Sequence, residues 1–458
     1  MSNIPRVLLI SYHFPPRPSI GSLRTGGLVK YLPQFGWDSI VLAPQLPAGA
    51  RPPVRLIETD YRDVLADVKA RLGMSRSRGL HDQLGLSFST VPGSPSWHTR
   101  VIDWIASMIT FPDDTKGWIP FAKSAIDELA RTEKIDLIIT SSPPITTNLL
   151  GAHAKKVLKC PWIADLRDLW AGPPSPLTRN AFLHKRLELK TLGQADALVS
   201  VSDAWADFLR ERYRSKPVSC IVTGFDAEDQ DDSIAQLTRH FSITYAGNLY
   251  AGRRDPTLLF QVLQDLFQHG LMSPEFVRVR FYGSKDSWLL ALIERYGLQG
   301  VVEVNGAIPR NEVLQRQTES QILLLLAMNV ATDAGCYPGK LFEYLAARRP
   351  IMAIGGLKGA TSELLTKTGA GAQLFSPEEI RNFLVSAYQQ YRDCGSVTYA
   401  GISSEVEQYS HRDMARKFGQ LFDSLRGVRA SRSRNDVDGL ADQRAVVDSR
   451  GSKVQTLS

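Results

Sequence analysis

Long apolar runs are missing from the sequence of 458 residues. The longest, at 322–328, has the length of a strand, whereas a helix that crosses a bilayer needs about 18 apolar residues. The first residues contain no apolar signal sequence, because the run at 7–10 is too short. We therefore expect a soluble, cytoplasmic protein, and contact with the inner face of the membrane stays open as an addition.

Cysteine is scarce, and metal-binding motifs are absent from the sequence. The four cysteines are widely separated, with no CxxC pair, which excludes a disulfide framework or a zinc module and fits a reducing compartment. No DxD motif follows a predicted strand, and the adjacent aspartates at 113–114 and 231–232 have no helper ligands nearby. We predict no metal ion and no cofactor.

Basic residues are in modest excess, with 54 Lys and Arg against 47 Asp and Glu, a net charge of +7. From Arg426 onward, seven basic and four acidic residues supply +3 of this charge. No motif that combines aromatic and basic residues is present, so we do not expect a nucleic-acid partner. Small anionic molecules or an anionic lipid surface explain the excess equally well.

Strand-like and helix-like patterns alternate along most of the chain. The first unit is an apolar run at 6–11, a Gly/Pro loop, a helical pattern ended by Gly36 and a second strand at 39–43. This is a βαβ unit, typical of α/β proteins with parallel sheets. A chain this long exceeds the size of one core, so two such domains that face each other across a cleft are predicted.

Breaks in the pattern set the expected domain limits. The first Rossmann-like domain is predicted at 1–223, with an irregular insertion at 45–110 that is rich in Pro, Arg and Ser. A glycine-started, acidic linker follows at 224–240, and the second Rossmann-like domain at 241–427. Composition predicts a disordered basic tail at 428–458.

A run in the second domain has the chemistry of an anion site. Pro338 and Gly339 at a helix start leave backbone N–H groups free to bind an anion, and Lys340 adds a point charge. One turn on, Glu343 can accept hydrogen bonds from the two hydroxyls of a ribose. The alternative is an ordinary amphipathic helix, with Leu341 in the core and Glu343 in solvent.

This run, continued by Arg349-Pro350-Ile351, resembles the donor-nucleotide segment of the family 4 glycosyltransferases, which have the GT-B fold. The first βαβ unit, with Phe14-Pro15-Pro16 and Gly21, is also similar to that family. Further similar stretches are Ser141-Ser142-Pro143-Pro144, Asp165-Leu166-Arg167-Asp168, Gly224-Phe225-Asp226 and Tyr245-Ala246-Gly247-Asn248. Together they cover most of 6–425 and resemble bacterial members that assemble polysaccharides.

The resemblance implies a function. It is transfer of a sugar from a nucleotide-diphosphate sugar to a glycan or lipid-linked acceptor in polysaccharide or glycoconjugate biosynthesis, with retention and without a metal. The implied donor-binding residues are Gly21, Gly247, Arg253, Arg254, Ile308, Gly339, Lys340, Leu341 and Glu343. Arg253 and Lys340 are implied to stabilise the leaving diphosphate. The alternative for Arg253 and Arg254 is a solvated basic loop.

One departure from the family concerns the sugar. Many members have two glutamates eight positions apart, and the upstream position here is Gly335. Asp333 is a possible substitute, or an ordinary loop residue. Two rival functions follow: a GT-B enzyme that does not transfer, such as a nucleotide-sugar epimerase, and a degenerate paralogue that only binds a nucleotide-sugar.

In the first domain, carboxylates follow a predicted strand. Asp165 at the strand end and Asp168 in the next loop are predicted to face the cleft, with Arg167 as an anchor. We assign all three to the acceptor side and Asp168 also to catalysis; the alternative is an Asp–Arg pair that holds the loop. The apolar stretch at 101–108, with Trp104, is either a membrane-surface helix or a helix packed on this domain.

Overall fold

The computed structural model describes residues 4–71, 75, 107–171, 180–229, 236–250, 253–283, 285–328, 335 and 337–427. They form two parallel β-sheets, each with helices on both faces. Because strands of this kind are buried on both faces, they appear in the sequence as continuous apolar runs. Among the described residues, no helix is long and apolar enough to cross a membrane.

The first sheet has seven strands in the order β3-β2-β1-β4-β5-β6-β7. These are β1 (Arg6–Ser11), β2 (Asp38–Pro44), β3 (Arg55–Thr59), β4 (Leu137–Ser142), β5 (Trp162–Leu166), β6 (Ala197–Ser200) and β7 (Val218–Cys220). The helices around it are α1 (Ile20–Tyr31), α2 (Val64–Arg71), α3 (Ile119–Thr132), α4 (Thr146–Leu158), α5 (Ala181–Leu192) and α6 (Asp203–Arg212).

The second sheet has six strands in the order β10-β9-β8-β11-β12-β13. These are β8 (Phe241–Ala246), β9 (Val277–Tyr282), β10 (Val302–Val304), β11 (Ile322–Leu326), β12 (Ile351–Ile354) and β13 (Gly371–Leu374). Its helices are α7 (Thr257–Gln268), α8 (Ser287–Arg295), α9 (Arg310–Thr318), α10 (Gly339–Ala347), α11 (Ala360–Thr368), α12 (Pro377–Cys394) and α13 (Ser403–Glu407). In both sheets the order reverses beside the first strand of the domain, where a crevice opens at the carboxyl ends.

The expected irregular insertion at 45–110 is partly regular. It contributes β3, which pairs in parallel with β2 from Ile40↔Arg55 to Pro44↔Thr59, and then α2. Because β3 is an edge strand whose residues are only partly buried, its pattern lacks the continuous apolar run that identified the other strands. Most of the stretch at 101–108, including Trp104, lies outside the described residues, as does the tail at 428–458.

The last helix, α14 (411–427), does not pack where the sequence assigned it. It follows the second domain in the chain, yet Met414, Phe418 and Phe422 are buried in the core of the first domain with Leu9. Trp37 stacks edge-on against Phe422, with ring centroids 5.1 Å apart, and its Nε1 donates to Asp423 over 3.0 Å. The second domain therefore ends before 411, because an apolar helix face can be buried against either domain.

The chain crosses between the domains at two points that are bonded to each other. Phe225 and Ser410 form a parallel bridge; the N–H of Phe225 donates to the carbonyl of Tyr409 over 2.9 Å. Gly224 precedes the bridge with φ of 79°, and a Cβ there would lie 2.5 Å from the carbonyl oxygen of Tyr409. Only glycine fits this crossing without strain.

Candidate functional site

A cavity of about 440 Å³ lies between the two domains, at the carboxyl ends of the second sheet. One wall comes from α1, the crossing at 223–226 and His411 at the start of α14, and the rest comes from strand ends, loops and helices of the second domain. The lining residues relevant to the predicted site are Ile20, Gly247, Ile308, Gly339, Lys340 and Glu343. The other predicted donor residues do not line this cavity; they are Gly21, Arg253, Arg254 and Leu341.

The start of α10 brings the domains into contact. Pro338 is the N-cap residue, and the helix begins at Gly339. A Cβ at position 339 would lie 2.5 Å from Cδ1 of Ile20, so the start of α10 contacts the start of α1 directly. The first turn of α10, with the positive end of the helix dipole, thus opens into the cavity beside α1.

Lys340 is a half-buried cation at this helix start. Its Nζ donates to the hydroxyl of Tyr245 over 2.9 Å and lies 4.2 Å from the centre of that ring. A Cβ on Gly247 would lie 2.1 Å from Nζ, so the ammonium group occupies the space above that glycine. Burial, helped by the nearby charge of Arg254, lowers the pKa of Lys340 to about 7, and Glu343 opposes the shift.

The two arginines of the predicted phosphate loop have different surroundings. Arg254 is partly buried, with its guanidinium 5.4 Å from the ring centre of Tyr250 and a hydrogen bond to Tyr245. Arg253 is exposed to solvent. The structure therefore brings Arg254 and Lys340 together on Tyr245, and it leaves Arg253 outside this group.

Glu343 projects from α10 toward the cavity, with its side chain one-quarter exposed. Its carboxylate lies 3.6 Å from Nη2 of Arg310 and 3.5 Å from Nε2 of Gln317. Gln317 is fully buried, and its Oε1 has no hydrogen-bond partner among the described residues. Sequence reasoning missed both neighbours: Arg310 starts a helix just after Ile308, but Gln317 belongs to no motif.

Leu341 was predicted to bind the donor, but its side chain does not line the cavity. It is fully buried in the apolar core of the second domain, with Leu345 one turn further along. Helical periodicity explains this, because positions 341 and 345 share the face that packs on the sheet, whereas 343 lies on another face.

In the first domain, Arg167 covers the start of α1. A Cβ on Gly21 would lie 2.0 Å from Nη1 of Arg167, and this arginine also donates to the carbonyl of Pro143. Asp168 is exposed beside it. The protein around Asp168 displaces water and raises the pKa of its carboxyl, while Arg167 acts in the opposite direction. Because Gly21 is next to Ile20, which contacts the position of Gly339, this pair lies near the part of the cavity at the start of α10.

Asp165 does not face the cleft as predicted. It is 2% exposed, and its two oxygens accept hydrogen bonds from Nε and Nη2 of Arg24, over 2.9 and 2.7 Å. Ser141 adds a hydroxyl contact at 3.3 Å. The end of β5 lies beneath α1, so the buried carboxylate pairs with a helix residue instead of substrate. One sequence feature pointed to this burial: Arg24 lies on the same helix face as the apolar Leu28 and therefore needs a buried acidic partner.

Position 335, where many family members have a glutamate, lies close against α6 of the first domain. A Cβ at this position would lie 2.9 Å from the Cβ of Ala204 and 3.5 Å from Trp205, both in α6 of the first domain. A side chain at position 335 would therefore require a local shift of this residue or of α6. The expected substitute, Asp333, lies outside the described residues.

Comparisons with known proteins agree with this architecture. A family model for a glycosyl transferase 4-like domain matches residues 22–223. HepE from Anabaena, solved with UDP, is 12% identical with a TM-score of 0.58, over 92% of this chain and 100% of that one. No curated protein matches the chain.

Two further solved structures have the same fold. Sucrose-phosphate synthase from Thermosynechococcus elongatus is 15% identical with a TM-score of 0.58, over 93% of this chain and 100% of that one. A glycosyltransferase from Rickettsia africae is 14% identical with a TM-score of 0.57, over 92% and 99%. With the paired parallel sheets and the cleft between them, these likenesses lead to one conclusion: the chain has the GT-B fold, and its residues 22–223 match a glycosyl transferase 4-like domain.

Proposed function

We propose that this protein is a glycosyltransferase that takes a sugar from a nucleotide-diphosphate donor and passes it, with retention and without a metal ion, to a glycan or lipid-linked acceptor in polysaccharide or glycoconjugate biosynthesis. The observation that carries the donor assignment is that Lys340 and Glu343, one turn apart on α10, line the same cavity. The carboxylate of Glu343 suits the ribose hydroxyls of a nucleotide diphosphate, and the amine of Lys340 suits its phosphates. Retention and the pathway are carried over from the family resemblance.

The nucleoside half fits around Glu343. Its carboxylate can accept hydrogen bonds from both ribose hydroxyls, while Arg310 and Gln317 hold its position. The unpartnered Oε1 of Gln317 and the backbone at Ile308 offer polar contacts to a base. HepE is solved with UDP-glucose and the pneumococcal transferase GtfA with UDP and GlcNAc, which supports a uridine donor for this chain as well.

The diphosphate half fits between Lys340, Arg254 and the first turn of α10. A bound diphosphate would raise the pKa of Lys340, because an adjacent anion favours the protonated amine. The ammonium group and the guanidinium would then stabilise the charge that develops as the sugar–phosphate bond breaks. In this proposal, these fixed donors supply the charge stabilisation that a divalent ion supplies in metal-dependent transferases.

The acceptor would approach from the first domain. Asp168 is exposed there and can accept a hydrogen bond from the attacking hydroxyl, while Arg167 orients the loop through Pro143. Contact between Ile20 and the Gly339 position puts this surface next to the donor phosphates. Closure of the cleft around both substrates would exclude water and favour transfer over hydrolysis.

A panel of nucleotide-sugars, screened by thermal shift, tests the proposal first. A donor at 100 times its dissociation constant stabilises the fold by about 2.7 kcal/mol, and Glu343→Gln should reduce that shift. Transfer to a lipid-linked or glycan acceptor is then followed by mass spectrometry, and the anomeric configuration of the product by NMR. Transfer should continue in excess chelator.

The other outcomes separate the rivals. Donor turnover without any acceptor would identify an epimerase, and tight donor binding without transfer would identify a binding paralogue. Loss of transfer in chelator, restored by magnesium or manganese, would overturn the metal-free mechanism. If no nucleotide-sugar shifts the melting temperature, the cavity is not a donor site.

A further inference from the structure

Helix α5 (Ala181–Leu192) buries several polar side chains and exposes several large apolar ones, although Leu192 at its end is buried in the core. Its buried residues include His184, Glu188 and Thr191, while Phe182 is 74% exposed and Leu189 is 43% exposed. A helix on a protein surface normally buries its large apolar side chains. The side chains turned outward on α5 are therefore those that gain most from leaving water.

Two buried polar residues of α5, Glu188 and His184, are hydrogen-bonded to other parts of the first domain, so the exposure of the apolar side chains is built into the fold. Glu188 accepts hydrogen bonds from Arg212 and Tyr213, over 3.0 and 2.9 Å. His184 accepts one from Nε1 of Trp170 over 3.3 Å. These contacts fix the rotation of the helix, and that rotation directs Phe182 and Leu189 away from the core.

The exposed face of α5 also carries charge of one sign. Lys185, Arg186 and Lys190 are exposed, and the only acidic residue of the helix, Glu188, is buried. Phe182, Arg186 and Leu189 follow the i, i+4, i+7 spacing of one helical stripe. We call these five outward-facing residues, together with Leu183, which is 40% exposed, the α5 face.

Two neighbours connect the α5 face with the predicted acceptor side. Met108, 41% exposed, contacts Asn180 at the start of the helix, with Sδ 3.3 Å from Nδ2. Trp170, which bonds to His184, lies two residues after Asp168. The exposed apolar surface thus extends beside the segment assigned to the acceptor.

We propose that the α5 face docks on an anionic lipid bilayer. Apolar side chains flanked by Lys and Arg on one helix face are the combination that binds at the headgroup boundary of membranes. A symmetric contact between two copies would put three cations opposite three cations along a helix about 18 Å long, which disfavours a self-association surface. Docking would present Asp168 to an acceptor that is held in the bilayer.

The test uses the full-length chain with vesicles of phosphatidylcholine, with or without phosphatidylglycerol. The wild type should sediment with the anionic vesicles at low salt and be released by added salt. The triple variant Lys185→Glu, Arg186→Glu, Lys190→Glu should lower the partition coefficient by about tenfold or more, since each basic residue contributes about fivefold near an anionic surface. The double variant Phe182→Ser, Leu189→Ser should also weaken binding.

The matched control comes from α8 in the second domain. Leu290 is 53% exposed and Arg295 is exposed on the same helix, so Leu290→Ser with Arg295→Glu makes similar changes elsewhere. This control should sediment like the wild type, and all variants should keep the wild-type melting temperature. The assay contains no donor or acceptor, so its result is separate from that of the proposed function.

Three results would overturn the proposal. The wild type could ignore both kinds of vesicle, or the α5 variants could sediment as the wild type does. Light scattering could instead show a concentration-dependent dimer that Phe182→Ser abolishes, which would make the face a protein interface.

Discussion

At the scale of single residues, the charge of Lys340 depends strongly on its surroundings. Its pKa near 7 in the free protein means that it is only partly protonated at neutral pH. A bound diphosphate restores the proton, so donor binding should take up protons. We expect donor affinity to fall as pH rises above 7, by up to about tenfold per pH unit.

Calorimetry in buffers of different ionisation enthalpy measures this proton uptake directly. Lys340→Met should remove both the uptake and the slope of affinity against pH. Affinity that is the same below and above pH 7 would show that Lys340 does not contact the diphosphate.

The lowered pKa of Lys340 also makes the free energy of unfolding depend on pH, in the direction opposite to that of donor affinity. The unfolded lysine, with a pKa of 10.5, holds more protons than the folded one between about 7 and 10.5, so this group makes stability rise with pH there.

Glu343 is expected to act through the ribose and not through folding. Glu343→Ala should raise the donor KM or lower turnover by about a hundredfold, equivalent to roughly 2–3 kcal/mol. Glu312→Ala, an exposed change on the neighbouring helix α9, is the matched control and should alter neither. Full activity with a lowered melting temperature would reduce Glu343 to a structural residue.

The two adjacent arginines provide their own control. Arg254→Ala should lower kcat/KM by at least about tenfold, because it removes a charge beside Lys340 and Tyr245. Arg253→Ala should be nearly silent, because that side chain is exposed. Steady-state kinetics with saturating acceptor separates them, and the reverse order would contradict the proposed phosphate site.

At the scale of elements, a buried ion pair joins strand β5 to helix α1. Because Arg24 is 1% exposed, Asp165→Ala leaves a buried cation without its partner and should destabilise the fold by about 3–5 kcal/mol. Asp168→Ala, three residues away and exposed, should lower turnover with little change in melting temperature. Denaturant unfolding and kinetics on both variants check this division, and equal destabilisation would show that Asp168 is structural too.

Most elements could be predicted from the sequence because parallel strands buried on both faces leave continuous apolar runs, as in β1 and β11. The edge strands β3 and β13 escaped notice, since the first is only partly buried and the second, Gly-Ala-Gln-Leu, has little apolar length. The position of Lys340 and Glu343 at one cavity could be anticipated, because helix-start chemistry is local. Gln317 and Arg24 were not, because their partners are 26 and 141 residues away in the chain.

At the scale of the whole molecule, the C-terminal part of the chain contains a helix that we expect folding to need, α14, and a following segment that we expect to be dispensable. Truncation after Gly427 removes only residues beyond α14 and should leave melting temperature and soluble-acceptor turnover unchanged. Truncation after Ser410 removes α14 and uncovers the core beneath Phe418 and Phe422. Since removal of one such ring alone costs about 3–5 kcal/mol, this shorter chain should fail to fold stably. Thermal unfolding of both chains checks the contrast, and a lowered melting temperature after truncation at Gly427 would show that the tail packs.

The return of α14 to the first domain has a consequence for recombining this protein with others of the same fold. The first domain consists of two separate stretches of chain, and the crossings at Phe225 and Ser410 are bonded to each other. A chimera that exchanges donor specificity therefore needs two junctions, one beside Gly224 and one at Ser410, with α14 kept from the acceptor-side parent. A single junction at 224 would bring in the last helix of the other parent, which would then pack against Trp37 of this chain. The core of the first domain would be mismatched, even if the donor specificity were exchanged as intended.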